Sequence, residues 1–351
     1  MITDKYLELL YRQQVTVERY KAHEANLFKD KITDLIDEMM LVDEMSERQL
    51  KALLAEVKKT QKSFYLDYFE ELQNTFVEFG VIEATQEIKT LQSAYLATDY
   101  AAKVATADQV RRMMLSRPLQ VGRQNGMKLL TDWIDSFTSS QIDAVNNSVM
   151  AGYHTGQTNQ QIIQRLRGTR TNKYKDGIVS VLRRDADAIV RTSIQHVSNV
   201  SRMASWMQNQ EVVVGYRIVA TLDGKTSVIC RSLDGRSYQI GKGPLPPFHV
   251  RCRSTTAPDI DEEFSYLKRG TTRSSQNGYV SGDLNYYDWL KTQPISFQDD
   301  VLGPTKAKLF RNGGISAEKF RRLQLDKNLN PLTLKELKKR APQAFEAANI
   351  N

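Results

Sequence analysis

The sequence predicts an α+β protein that is mostly α-helical: long helices come first, a small β-rich domain with a Pro-rich loop follows, and a helical C-terminal extension ends the chain. Three observations predict it. Apolar residues recur every three or four positions along two long stretches, near 50–79 and 178–207, which is the period of one helix face. From Val212 to Leu222 the period drops to two, the signature of a strand. Soon after comes GKGPLPP, Gly241–Pro247, whose three prolines lack backbone donors and rule out regular helix or a central strand. The expected segments are a helical N-terminal region (1–118), a helical part leading into the β-rich domain (119–210), the β-rich core itself (211–265), and a linker with a helical extension (266–351).

Taken in order, residues 1–100 read as helix almost throughout, with Gly80 as their single glycine and no proline. Ser46-Glu47-Arg48-Gln49 has capping-box spacing and opens the stripe Leu50, Leu53, Leu54, Val57, Gln61, Phe64, Tyr65, Tyr68, Leu72, Phe76 and Phe79, which Gly80 is expected to end. Aromatics at that spacing pack helix against helix. Thr106–Gln109 opens a helix that Pro118 stops. Thr138–Gln141 and Thr158–Gln161 open two more, closing near Gly156 and at Gly168, with the exposed His154 at the corner between them. TRTNKYKDG, residues 169–177, is a polar basic loop.

The second long helix carries Ile178, Leu182, Ala186, Ile189, Ser193, Val197, Val200, Ala204 and Met207 on its stripe. Arg183, Arg184, Arg191 and Arg202 fall off that stripe, facing solvent, acidic partners or phosphate, and His196 borders it as a hydrogen-bonded packing residue. In the strand that follows, one face carries Val212, Val214, Tyr216, Ile218 and Ala220. Leu222-Asp223-Gly224 and Leu233-Asp234-Gly235 are turn signals, with a short strand at Arg236–Ile240. The Pro-rich loop returns Phe248, His249 and Cys252 toward the sheet. An acidic patch at Asp259–Glu263 precedes a Gly- and Ser-rich linker (268–283), and helices are expected at Tyr286–Lys291, Phe297–Arg311, Ser316–Leu323 and Thr333–Ala348.

Composition narrows the function classes. Apolar runs of only a few residues fall far short of the roughly 20 that cross a bilayer, and the N-terminus has no signal-peptide pattern, so a protein made in the cytoplasm without a membrane segment is expected. The net charge of +8 is uneven: residues 1–100 hold 12 Lys/Arg against 19 Asp/Glu, and residues 101–351 hold 37 against 22. That basic part either meets an anionic partner such as DNA or an acidic protein surface, or is an ordinary solvated face.

Tyr216–Ser254 gathers both cysteines, Cys230 and Cys252, with His249. Thiolate and imidazole are donors zinc prefers, and His249-x-x-Cys252 is a common ligand spacing. A structural zinc takes four ligands, and Asp223 or Asp234 is the candidate fourth. Two small buried thiols beside a hydrogen-bonded histidine, or a disulfide, are the alternatives. The H-x-E/P-C-x-x-C and H-E-x-x-H patterns of zinc hydrolases, a nucleophile elbow and a phosphate-binding Gly-rich loop are all missing, so no catalytic residue is assigned and the protein is read as a non-enzyme.

The ordered set Arg191-Thr192, then TLDGKTSVICRSLDG (Thr221–Gly235), then GKGPLPPFHVRCR (Gly241–Arg253) resembles the phage Mu F-like family of minor head, or head morphogenesis, proteins. The resemblance covers about residues 140–258. YDWLKTQP and FQDDVLG, at Tyr287–Pro294 and Phe297–Gly303, are similar to an extension in some of these phage proteins. The resemblance implies a virion component of the capsid interior or portal vertex, assembled in the host cytoplasm, with portal protein or capsid subunits as partners and packaged DNA within reach of the basic part. Many members carry a C-x-x-C-like pair where this chain has Val228-Ile229-Cys230, so the family's metal-binding form is incomplete here. The competing classes are a zinc-dependent hydrolase or toxin and a plain DNA-binding protein.

Overall fold

Two apolar stripes become the frame of the molecule in the computed structural model, which describes residues 4–39, 47–94, 101–121, 126–261 and 272–350. Helices α1 (Asp4–Met39) and α2 (Glu47–Ala94) pack on α6 (Ile178–Met207), and α3 (Ala107–Ser116), α4 (Leu130–His154) and α5 (Asn159–Arg167) complete the layer around it. Gln61, Tyr65, Tyr68, Leu72, Phe76 and Phe79 of α2 are buried, and Tyr65 and Phe69 meet the edge of Phe137 from α4. Ser46, expected to cap α2, lies outside the described residues.

Gly80 does not end α2. It lies inside the helix at its crossing with α3 and α6, where a Cβ would stand 2.5 Å from Val110 Cγ1 and 2.6 Å from Ser201 Oγ. Glycine here serves close approach rather than termination. Thr138 likewise opens nothing: α4 begins at Leu130, because Leu130, Ile134 and Phe137 already extend its buried stripe toward the N-terminus. Thr106 and Thr158 do form capping boxes, on Gln109 and Gln161, and Gly168 closes α5.

Helix α6 departs most from a one-sided stripe. Every residue from Thr192 to Trp206 is buried, so the helix is enclosed on all sides. Its polar residues are therefore partnered inside. Arg202 does not meet solvent: its Nε donates to Glu87 Oε2 of α2 at 3.0 Å and its other nitrogens to Thr255 Oγ1 and the Thr256 carbonyl, while Trp206 Nε1 donates to Glu87 Oε1 at 2.8 Å. Ser198 donates to Glu83 Oε2 at 2.6 Å. His196 is buried as expected, Nε2 3.0 Å from the Met114 carbonyl oxygen.

The strand signal becomes β3 (Val213–Val219), the centre of a three-stranded antiparallel sheet between β4 (Ser237–Gln239) and β5 (Thr255–Ile260). A register shift between Val213 and Gly215 breaks the alternation, which leaves Val214 exposed instead of on the inner face. The β-rich part is less purely β than expected, because the short helix α7 (Val228–Leu233), capped by Ser227, lies between the two Leu-Asp-Gly turns. A two-residue ladder, β1 (Leu119–Gln120) with β2 (Met127–Lys128), precedes α4.

The expected linker is structured where it is described. β6 (Thr272–Ser275) and β7 (Gly278–Ser281) form a hairpin, with Leu222 bridging to Ser275. Helix α8 (Tyr286–Lys291) matches its expected bounds. Phe297–Arg311 is two helices, α9 (Ile295–Leu302) and α10 (Pro304–Asn312), divided by Gly303-Pro304. Helix α11 (Ala317–Arg322) follows its Ser316 cap, and Pro342 splits the last segment into α12 (Leu334–Arg340) and α13 (Pro342–Ala347). Tyr286, Tyr287, Trp289, Phe310 and Phe320 give these helices an aromatic core of their own. Among the described residues no helix is long and apolar enough to cross a membrane.

Candidate metal centre

Two chain segments of opposite character meet at the centre. Ser227 accepts from the Cys230 amide and starts α7, which places Cys230 in the first turn; the Pro-rich loop, with its cis Pro246–Pro247 bond, turns Phe248–Cys252 back against it. Cys230 Sγ then lies 3.2 Å from His249 Nε2 and 3.6 Å from Cys252 Sγ, and the three donor atoms lie within 4.8 Å of one another. Cys230 and Cys252 are buried among Ile218, Ala220, Leu233, Phe248 and Leu325. His249 is half-buried and faces a cleft of about 960 Å³ bounded by the Pro-rich loop and Lys327–Pro331.

The electrostatics divide the three groups. Hydrogen bonding to Cys252 and burial push the Cys230 thiol up. Burial alone raises Cys252 too, but hydrogen bonds from Cys230 and His249 together with the imidazole charge hold it well below the ordinary thiol value. Burial works against a charged His249, and the bond to Cys252 outweighs it, so its pKa is raised. These directions favour negative charge on Cys252 over Cys230, beside an imidazole that holds its proton more tightly than a free one.

The donor set fits zinc. A tetrahedral zinc with Zn–S of about 2.3 Å separates two thiolates by about 3.7 Å, close to the 3.6 Å observed. His249 Nδ1 lies 2.9 Å from the Val250 carbonyl oxygen, the partner that leaves Nε2 to coordinate. Asp223 does not join. Its oxygens accept from Arg253 at 2.7 and 2.9 Å, and the Arg253 bonds and charge outweigh burial to lower its pKa. Asp234 is taken as well: it accepts from the Ala220 amide at 2.7 Å and pairs with Arg273 at 3.0 Å. Cys230, His249 and Cys252 are the donors the fold brings together, and neither aspartate lies among them.

Sequence reasoning missed what holds this centre. Arg251, with φ of 59°, donates its amide to Thr192 Oγ1 at 2.8 Å and its side chain to Asp187 and the Arg184 carbonyl, and Gln195 of α6 donates to the Ser254 carbonyl at 2.8 Å. Arg191 pairs with Asp187 and Glu18. The separated motifs are one device: α6 is the rail on which residues 251–256 are pinned, and Asp223 of the first turn clamps Arg253 from the other side. The sequence signal was the Arg191-Thr192 pair itself, which has no use on a purely apolar face.

No curated protein and no solved structure matches the chain. Residues 143–257 match the family model described as phage Mu protein F like protein. The matched span holds α6, β3, β4, the first half of β5 and the whole Cys–His–Cys cluster. Over those residues, about a third of its length, the chain is similar to the phage Mu protein F like family.

Proposed function

We propose that this protein is a structural minor head protein of a tailed bacteriophage, acting in head morphogenesis at the portal vertex or in the capsid interior. The family match over residues 143–257 carries the reading. The way the matched motifs are used supports it: Thr192, Asp187, Asp223, Arg251 and Arg253 are spent on one another. Cys230 and Cys252 are 2% and 1% exposed, which leaves no room for a substrate at either sulfur. Neither sulfur is thus the reachable nucleophile that a cysteine-dependent hydrolase or toxin would need. Cys230, His249 and Cys252 are proposed to hold a zinc ion that staples α7 to the Pro-rich loop. The partners proposed are portal protein or capsid subunits, met through the helical surfaces, and packaged DNA.

The test is assembly without this chain. Phage carrying a deletion of its gene are expected to yield heads with reduced infectivity per particle, and purified wild-type virions are expected to contain the protein. Mutant particles of normal number and infectivity would falsify the reading.

A further inference from the structure

Residues 155–184 hold seven Lys or Arg and a single acidic residue, Asp176. The loop joining α5 to α6 lies in the middle of this run and is tightly closed. Gly168, at φ +92°, lacks a Cβ that would stand 2.7 Å from Asp176 Oδ1, and one on Gly177 would stand 2.3 Å from the Gly168 nitrogen, so the two ends of the loop touch backbone to backbone. Asp176 is exposed, but its carboxylate is engaged by the loop's own donors: Oδ1 accepts from the Thr169 amide at 2.8 Å, and Oδ2 from the Thr169 hydroxyl at 2.7 Å and the Asn172 amide group at 2.8 Å. The bonds from Asn172 and Thr169 hold its pKa down at about 2. The run's one negative charge is therefore occupied in building the loop.

What the loop presents outward is basic. Lys173 and Tyr174 are both left-handed, at φ 52° and 59°, a conformation that non-glycine residues adopt only when their surroundings impose it. Tyr174 is 55% exposed. Arg170, Lys173 and Lys175 are exposed, and their side chains have no hydrogen-bond or ion-pair partner among the described residues.

We propose that this loop is a finger that docks on the phosphate backbone of double-stranded DNA. The proposal rests on the reading that the basic part of the chain meets packaged DNA, and it assigns the contact to Arg170, Lys173, Tyr174 and Lys175. Like charges held together by a closed loop attract a polyanion, and little ordering entropy is lost when it binds. Duplex DNA carries one charge per roughly 1.7 Å of axis, so each cation finds a phosphate without a fixed register, and the Tyr174 hydroxyl supplies a further donor. Phosphate contacts carry no sequence information, which suits a genome packed in any register. An acidic protein face is the poorer fit, because the loop offers Tyr174 as its one large apolar side chain and so lacks the buried centre of a protein interface.

The test is fluorescence anisotropy of a short random-sequence duplex titrated with the full chain over a range of salt. Arg170→Ala/Lys173→Ala/Lys175→Ala is expected to weaken binding on the order of tenfold or more at low salt, and to lower the slope of log K against log salt by about 0.9 for each phosphate no longer neutralised. Lys58→Ala/Lys59→Ala/Lys62→Ala, an equal charge change on exposed positions of α2, is expected to leave both nearly unchanged. Asp176→Ala raises the net charge yet is expected to weaken binding, because it opens the loop. Equal losses from both triple variants, tighter binding by Asp176→Ala, or displacement of DNA by polyglutamate of matched charge would each overturn the finger. Wild-type chain that binds no duplex at low salt would overturn both the finger and the DNA contact. The head-assembly reading is scored separately, by incorporation of the same variants into particles.

Discussion

At the scale of single residues, burial decides which groups titrate and which coordinate. Burial lowers the His196 pKa from an ordinary 6.5 to about 4, against the raising effect of its bond to the Met114 carbonyl. The folded protein therefore keeps this histidine neutral where the unfolded chain takes up a proton. The contribution is full above pH 6.5 and is lost as pH falls toward about 4, amounting to about 3 kcal/mol. Urea titrations at pH 7 and pH 4.5 are expected to show a smaller loss for His196→Gln than for wild type; equal losses would remove the explanation. The metal centre makes a second residue-scale prediction. Purified protein is expected to carry about one zinc per chain by elemental analysis. Cys252→Ser is expected to abolish it, and chelation to lower the melting temperature of wild type but not of the variant. Full wild-type stability in chelator, with zinc absent throughout, would leave the cluster as two thiols and a histidine.

Elements were legible where a local rule acted alone. The Thr106 and Thr158 boxes, the bounds of α6 and the bounds of α8 could all be read from sequence, because capping and periodicity need only neighbours in the chain. Gly80 and Arg202 were misread for the opposite reason, each being set by a partner more than twenty residues away, whereas Thr138 sits within a buried stripe that already starts at Leu130. Arg202 shows the difference best. A stripe describes one face, whereas α6 is covered on all of them, and its off-stripe residues answer Glu83 and Glu87 of α2. Those two glutamates, four apart beyond Gly80, were the available clue. Gly80 gives a test at this scale. Alanine gains about 1 kcal/mol of helix propensity, but its methyl group enters the space of Val110, where overpacking costs about 1–3 kcal/mol. Gly80→Ala is expected to lose about 1 kcal/mol and Gly80→Leu more, measured by chemical denaturation; a stabilised alanine variant would show that the crossing has slack.

For the whole molecule, residues 143–257 share buried contacts with the C-terminal hairpin and helices. Asp234, fully buried at the second Leu-Asp-Gly turn, pairs with Arg273 of the hairpin, and its carbonyl accepts from Arg321 of α11 at 2.6 Å. Arg231 reaches the Val301 carbonyl at 2.8 Å, and Tyr286 donates to the Asp223 carbonyl at 2.7 Å. Sequence reasoning took residues 268–283 for a linker because they are polar; their polarity is what satisfies this buried carboxylate. Removing one partner of a buried pair strands the other, at about 3–5 kcal/mol. Arg273→Ala is accordingly expected to destabilise the sheet and the C-terminal helices together, seen as one shifted unfolding transition rather than a separate early one.

That clasp has a consequence for synthesis. The ribosome releases β3 long before Arg273 and Arg321, so a growing chain that already contains every family motif still holds Asp234 with no arginine to answer it. Domains generally fold as units during translation, and this sheet is expected to close only once sequence beyond residue 257 has emerged. Chains stalled before residue 273 are expected to be cut by protease within the sheet, and chains stalled after residue 321 to resist. The C-terminal residues thus supply the two arginines that answer Asp234, and copies that lack them are expected to stay open to protease.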